Sequence, residues 1–139
     1  MLTIYRFAEE HAFLSNFYPS RVVLDGVIYP TVEHAYQAAK TISPSERDSV
    51  LFSGSPGRAK RAGKRVKIRE GWGDMKLSVM RDLLIQKFTH DDLKALLVAT
   101  GDARLVEGNS WGDRYWGMCD GTGSNHLGQL LMEVRELCK

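Results

Sequence analysis

The sequence predicts an α+β fold: one compact domain over residues 1–139, mostly helical, with a small β-hairpin or sheet. Three observations carry that expectation. Six segments show helical spacing or helix-start signals, against a few short strand-like pieces. Asp25-Gly26 sits between Val22-Val23-Leu24 and Val27-Ile28-Tyr29, a strong hairpin signal because both turn positions need positive φ. Hydrophobic residues make up 43% and charged residues 26% of the 139, the balance of an ordinary globular chain rather than a disordered one.

In chain order, residues 2–7 alternate like a short strand, and the Asp25-Gly26 hairpin follows. Pro30 closes the second hairpin strand, Thr31 is placed to cap, and residues 32–40 contain neither Gly nor Pro, which predicts a helix. Val32, Ala35 and Ala39 form its apolar stripe, while Glu33, Tyr36, Gln37 and Lys40 share another face. Ser43-Pro44-Ser45-Glu46 is a capping box with proline at the first helical position, opening a helix that ends near Gly54. Ser55-Pro56 starts another, stopping around Gly63. After Gly71-Trp72-Gly73-Asp74 comes the longest helix, about 75–88, with Leu77, Met80, Leu84 and Phe88 as its core stripe. Asp91 or Asp92 caps a helix carrying Leu93, Leu96 and Leu97 and ended by Gly101; residues 104–107 read as a short strand. Residues 111–124 read as an ordered loop rich in Gly and aromatics, and about 126–137 as a last helix burying Leu127, Leu130, Leu131, Val134 and Leu137.

The formal net charge of +2 is unevenly spread. Seven basic residues, Arg58, Lys60, Arg61, Lys64, Arg65, Lys67 and Arg69, run without an intervening acid and leave the rest of the chain net acidic. Such a strip suits either a solvated helix face or attraction to phosphate. Two cysteines are too few for a disulfide framework, the four histidines show no metal-ligand spacing, and neither a Walker A loop nor a nucleophile elbow occurs. No metal and no cofactor are therefore expected. No apolar run approaches the ~18 residues of a membrane span, and the N-terminus lacks a basic head followed by an apolar stretch. A cytoplasmic protein with no membrane partner is the expectation.

Three places could hold chemistry. Phe13-Leu14-Ser15-Asn16-Phe17-Tyr18-Pro19 is either a turn pinned by hydrophobic anchors or a pocket wall, with Asn16 hydrogen-bonding a substrate and a ring stacking on it. Glu33 either favours its helix N-terminus electrostatically or projects into a cleft to stabilise positive charge or activate water. Trp111-Gly112-Asp113 and Tyr115-Trp116-Gly117 either contribute to the core or form a stacking pocket for a flat ring. Beyond them, residues 121–125 enter the last helix, whose N-terminal amides are placed to hold a phosphate.

Taken in order, Phe13-Leu14-Ser15-Asn16-Phe17, residues 29–40 (Tyr-Pro-Thr-Val-Glu-His-Ala-Tyr-Gln-Ala-Ala-Lys), Ala59-Lys60, Trp72 with Lys76, Lys87-Phe88, Thr100-Gly101-Asp102, Leu105-Val106-Glu107, Trp111-Gly112-Asp113, Trp116-Gly117 and Asn125-His126-Leu127-Gly128 closely resemble the NADAR family, the YbiA-like proteins. The likeness runs from about Phe7 to Arg135. It implies an N-glycosidase that cleaves a C1′–N bond between a ribose phosphate and a base or amino-pyrimidine. Two substrate classes come with the family: ribosylamino-pyrimidine phosphates early in riboflavin biosynthesis, and ADP-ribose attached to guanine in DNA or RNA. One departure concerns phosphate: Arg61-Ala62-Gly63-Lys64-Arg65 puts basic groups on both sides of the glycine.

Carried onto this chain, the resemblance and the chemistry of the bond together suggest roles. Cleavage develops oxocarbenium-like charge on the ribose. Glu33 is the first choice to stabilise it, and Asp113 is a candidate acid or water-positioning group. Lys76, one turn after Trp72, is the leading amine to trap C1′ as an imine, with Lys40 second. Ser15, Asn16, Phe17, Tyr36, Lys40, Lys60, Trp72, Glu107, Trp111, Trp116, Gly117 and Asn125 are the expected substrate-binding set. A non-catalytic nucleotide or ADP-ribose reader is the alternative, and a nucleic-acid-binding protein using the basic strip is a third class.

Overall fold

A computed structural model describes residues 2–139. In chain order the elements are β1 (Thr3–Ile4), a 3₁₀ turn (Glu9–Leu14), β2 (Val22–Leu24), β3 (Val27–Tyr29), α1 (Val32–Ala39), α2 (Pro44–Leu51), α3 (Pro56–Gly63), α4 (Trp72–Lys87), α5 (Asp91–Ala99), β4 (Arg104–Leu105), β5 (Gly108–Asn109), β6 (Met118–Cys119) and α6 (His126–Leu137). Helices dominate and the strands are short, as an α+β chain requires. The elements sort into two compact units that interleave along the sequence: Asn16–Lys87, and residues 2–15 with Phe88–Lys139.

The unit Asn16–Lys87 is a helical cluster closed by the hairpin. Asp25 and Gly26 take φ of 47° and 81°, so Leu24 faces Val27 across a two-residue turn. Val22 and Tyr29 pair on the buried side, while Val23 and Ile28 pair facing outward. The Gln86 side chain of α4 grips the outer edge of β2, accepting the Val23 N–H at 2.7 Å and donating to its carbonyl at 2.9 Å. That edge is thereby closed to further strand pairing. Thr31, Ser43 and Ser55 cap α1, α2 and α3, each accepting a backbone N–H three residues on. The Glu46 half of the capping box is diverted: its carboxylate accepts from the Thr41 hydroxyl at 2.6 Å and from the Lys67 N–H at 3.1 Å. α1 packs against α2, α3, α4 and β2, which is why all eight of its residues are buried, polar ones included.

In the second unit β1 lies parallel to β4, pairing Thr3 with Arg104 and Ile4 with Leu105. β5 lies parallel to β6, and α6 packs on β4 and α5. The buried Arg135 of α6 donates to the Thr100 hydroxyl at 2.9 Å and the Ala103 carbonyl at 2.8 Å, pinning the loop between α5 and β4.

Several expectations are corrected. α4 begins at Trp72, because Gly71, at φ of 79°, turns the chain into the helix three residues early. Trp72 is buried in its first turn and Met80, Leu83, Leu84 and Lys87 in its second half, while Leu77 between them stays partly exposed. Leu96 and Leu137 also face solvent. The end of α3 is where it was expected: Gly63 is its last helical residue, with Lys64 as the C-cap.

Candidate active site

Within Asn16–Lys87 the site grows from the first turn of α1. The Thr31 hydroxyl accepts the His34 N–H at 3.0 Å and lies 2.7 Å from His34 Nδ1, and burial lowers the imidazole's pKa. The Asn16 carbonyl accepts the Glu33 N–H at 3.1 Å, one of the amides a helix start leaves open, so Asn16 is held beside Glu33. The Asn16 amide donates weakly to Met80 Sδ at 3.5 Å, while its Oδ1 is buried with no hydrogen-bond partner among the described residues. Glu33 is only 8% exposed, and Gln37, one turn on, donates from Nε2 to Glu33 Oε2 at 2.6 Å.

Cations and aromatic rings gather around this carboxylate. Tyr36 and Trp72 meet at 5.3 Å between ring centroids, tilted by 53°. Lys40 Nζ stands 5.7 Å from the Tyr36 centroid. Burial pulls the Lys40 pKa below the ordinary lysine range; Glu33 draws it back up, and the charges of Lys60, Lys64 and Lys76 push it down again. Four ammonium groups, from α3, α4 and the ends of α1 and α3, thus share one electrostatic neighbourhood with one carboxylate. The structure thereby brings together Asn16, Glu33, Tyr36, Lys40, Lys60, Trp72 and Lys76, with Phe17 partly exposed next to Asn16. Gln37 and Lys64 belong to the same cluster and were not in the expected set. The i, i+4 spacing from Glu33 to Gln37 was the available signal for the first; nothing in the linear order singles out Lys64 within the basic strip.

The remaining expected residues lie in the other unit. Ser15 closes the 3₁₀ turn, its N–H on the Ala12 carbonyl at 2.9 Å. Asn109 braces the loop: its Oδ1 accepts the Asp113 N–H at 3.0 Å, and its Nδ2 reaches the Asp113 carbonyl at 2.9 Å and Glu107 Oε2 at 3.1 Å. Asp113 Oδ1 accepts the N–H groups of Tyr115 at 3.1 Å and Trp116 at 2.9 Å, so this carboxylate builds a turn. Asn125, left-handed at φ of 51°, accepts the Glu107 N–H and donates to the Leu105 carbonyl, both at 3.0 Å. A Cβ at Gly117 would overlap the Glu107 carboxylate and carbonyl, so glycine there is a matter of room. Trp116 stacks edge-on against Tyr115 at 4.9 Å, whereas Trp111 is 63% exposed.

The expectation of a phosphate on the α6 amides fails. The N–H groups of Ser124, Asn125, His126 and Leu127 donate to the carbonyls of Arg114, Gly117, Tyr115 and Trp116. Backbone from the loop fills the place an anion would take. Among the described residues no group of three or more His, Cys, Asp or Glu is placed to hold a metal ion, and no helix is long and apolar enough to cross a membrane.

The NADAR domain family model matches residues 4–139. The chain belongs to the NADAR family. It is 40% identical over 140 residues to the N-glycosidase YbiA of Escherichia coli, covering 98% of this chain and 87% of that one. The NMR structure of E. coli YbiA matches with a TM-score of 0.84 at 38% identity, over 98% of this chain and 83% of the other. A riboflavin biosynthesis protein of Vibrio vulnificus is 39% identical over 92% of this chain, which corresponds to 36% of that longer protein. The NADAR match extends over residues of both units, so the cationic cluster and the Trp111–Asn125 loop both fall within the family's span.

Proposed function

We propose that this NADAR-family N-glycosidase hydrolyses the C1′–N bond of a ribosyl phosphate carried on a small flat base, with ribosylamino-pyrimidine phosphates as the first substrate class. The observation that carries the reading is one buried carboxylate, Glu33, among four lysine ammoniums beside a paired Tyr36 and Trp72. Each part answers one part of such a substrate. As the C1′–N bond breaks, its electron pair leaves with the base, and the ribose carbon becomes cationic. Glu33 stabilises that charge from a site with little water, where the effect is large. Lys60, Lys64 and Lys76 serve the phosphate as point charges, and the ring pair serves the base. Water adds to C1′ and a proton passes to the departing nitrogen, giving free ribose phosphate and the amine.

Lys40 supports a second route. Its lowered pKa leaves more of the amine unprotonated at neutral pH than an exposed lysine would have. In a ring-opened substrate the base nitrogen is bonded to C1′ as an imine. Lys40 exchanges for it, the base leaves as its amine, and water releases the aldehyde sugar from the lysine. Lys40 therefore takes precedence over Lys76 as the nucleophile. The names of relatives favour the riboflavin-type substrate over ADP-ribosylated guanine, since the Vibrio protein is called a riboflavin biosynthesis protein. The test is incubation with each substrate type and mass spectrometry for released sugar phosphate. Release from the ribosylamino-pyrimidine phosphate is expected. Release only from ADP-ribosylated guanine would reassign the substrate, and tight binding with no release from either would make the protein a reader.

A further inference from the structure

Gln37 is buried in α1, and the two ends of its amide meet different fates. Nε2 donates to Glu33 Oε2 at 2.6 Å. Oε1 is buried with no hydrogen-bond partner among the described residues. A buried acceptor without a donor destabilises a fold, and methionine would fill the same volume without that cost. What the amide supplies in exchange is a charge-assisted bond to the Glu33 carboxylate.

Gly63 of α3 faces this amide. It lies in the last turn of α3 and is absent from the left-handed region, so its backbone would accept any residue. Glycine in a helix is unfavourable relative to alanine, and here space explains it. A Cβ at position 63 would run into Gln37 Oε1 and come within 2.7 Å of Gln37 Cδ.

We propose that Gln37 and Gly63 form a positioning pair for Glu33. The bare backbone of α3 leaves room for the amide, and the amide fixes the rotation of the carboxylate relative to the sugar. A side chain at position 63 displaces the amide and, through it, the carboxylate. The inference rests on the reading that Glu33 stabilises the cationic ribose.

A double-mutant cycle with steady-state kinetics on the ribosylamino-pyrimidine phosphate tests it. Gly63→Ala lowers kcat by roughly 10- to 100-fold with little change in KM, the scale of a misplaced reacting group. Gln37→Ala lowers kcat comparably, and adding Gly63→Ala to it changes kcat by less than about twofold, because the clash is gone. Gln37→Met, which keeps volume and removes the donor, loses kcat while melting like the wild type. Wild-type kcat in Gln37→Met overturns the pairing, as does an equal Gly63→Ala loss in both backgrounds. Should Gly63→Ala fail to fold, Gln37→Met decides alone. Glu33→Gln separates the two levels. Near-normal turnover there removes Glu33 itself, whereas an inactive Glu33→Gln beside a fully active Gln37→Met sinks only the positioning pair.

Discussion

Two acidic residues were expected to do chemistry, and the structure treats them differently. Glu33 is enclosed by helices, accepts a hydrogen bond from the Gln37 side chain, and sits among lysines. Asp113 lies on a glycine-rich loop, and its Oδ1 is occupied by two backbone N–H groups. The same contrast holds for their neighbours. Asn16 and Gln37 keep buried oxygens without hydrogen-bond partners among the described residues, while Asn109 and Asn125 direct both ends of their amides to backbone or to Glu107. The amide oxygens of Asn16 and Gln37 beside Glu33 are left open to a ligand. Those in the loop substitute for the regular hydrogen bonds that the chain lacks there.

The contrast is open to attack from several sides. Short of removing the Glu33 charge itself, the largest expected effect concerns the amines. Lys40→Arg keeps the charge but cannot form an imine, and turnover should fall by about 10²-fold, the scale of losing a positioned transition-state partner. Borohydride reduction with substrate present should label Lys40, and Lys76→Arg should lose only a few-fold. A label on Lys76 would reverse the assignment.

A second prediction uses pH. Lys87, fully buried at the end of α4 with its ammonium 5.8 Å from the Tyr18 ring centroid, has its pKa lowered by burial to about 7. The unfolded chain binds this proton up to about pH 10, so between pH 7 and 9 it holds more protons than the folded one. Stability should therefore rise with pH across that window, by on the order of 2 kcal/mol from this residue. Denaturant titrations at both pH values should show the rise in the wild type and its loss in Lys87→Met. A pH dependence identical in both proteins would contradict the account of Lys87.

The loop is probed at Asp113. Asp113→Ala should cost about 1–3 kcal/mol in chemical denaturation, because two turn amides lose their acceptor. Asp113→Asn keeps an oxygen there and should retain most of the stability and turnover within a few-fold. A hundredfold rate loss in a stable Asp113→Asn would return this residue to the chemistry. The smallest effects are expected at the tryptophans. Trp111→Ala should change stability by less than about 0.5 kcal/mol, as exposed substitutions do, and Trp116→Ala by about 1–2 kcal/mol through its aromatic contact. Equal losses in thermal melts would erase the distinction.

Local signals in the sequence were legible because they act over three or four residues. Asp25-Gly26 specified its hairpin, and Thr31, Ser43 and Ser55 each cap the helix expected of them. The 3₁₀ turn at Glu9–Leu14 and the β5–β6 pair were not, since one opens on a left-handed Glu9 and the other joins two-residue strands without alternation. The face carrying Glu33, Tyr36 and Lys40 was readable from helical spacing. What surrounds it was not. The Lys40 pKa is lowered first by burial and further by the charges of Lys60, Lys64 and Lys76, and only the packing of α1 against α3 and α4 brings both about. The α6 amides illustrate the opposite error: a free helix N-terminus in the sequence is filled by loop carbonyls in space.

The most direct test of the account is turnover of the ribosylamino-pyrimidine phosphate by Glu33→Gln, measured as released ribose phosphate beside a thermal melt. The amide keeps the size of the side chain and removes its charge. The account predicts a folded protein melting close to the wild type with turnover lowered by about 10²–10³, equivalent to about 3–4 kcal/mol of transition-state stabilisation. Turnover within a few-fold of wild type in that folded variant would contradict it.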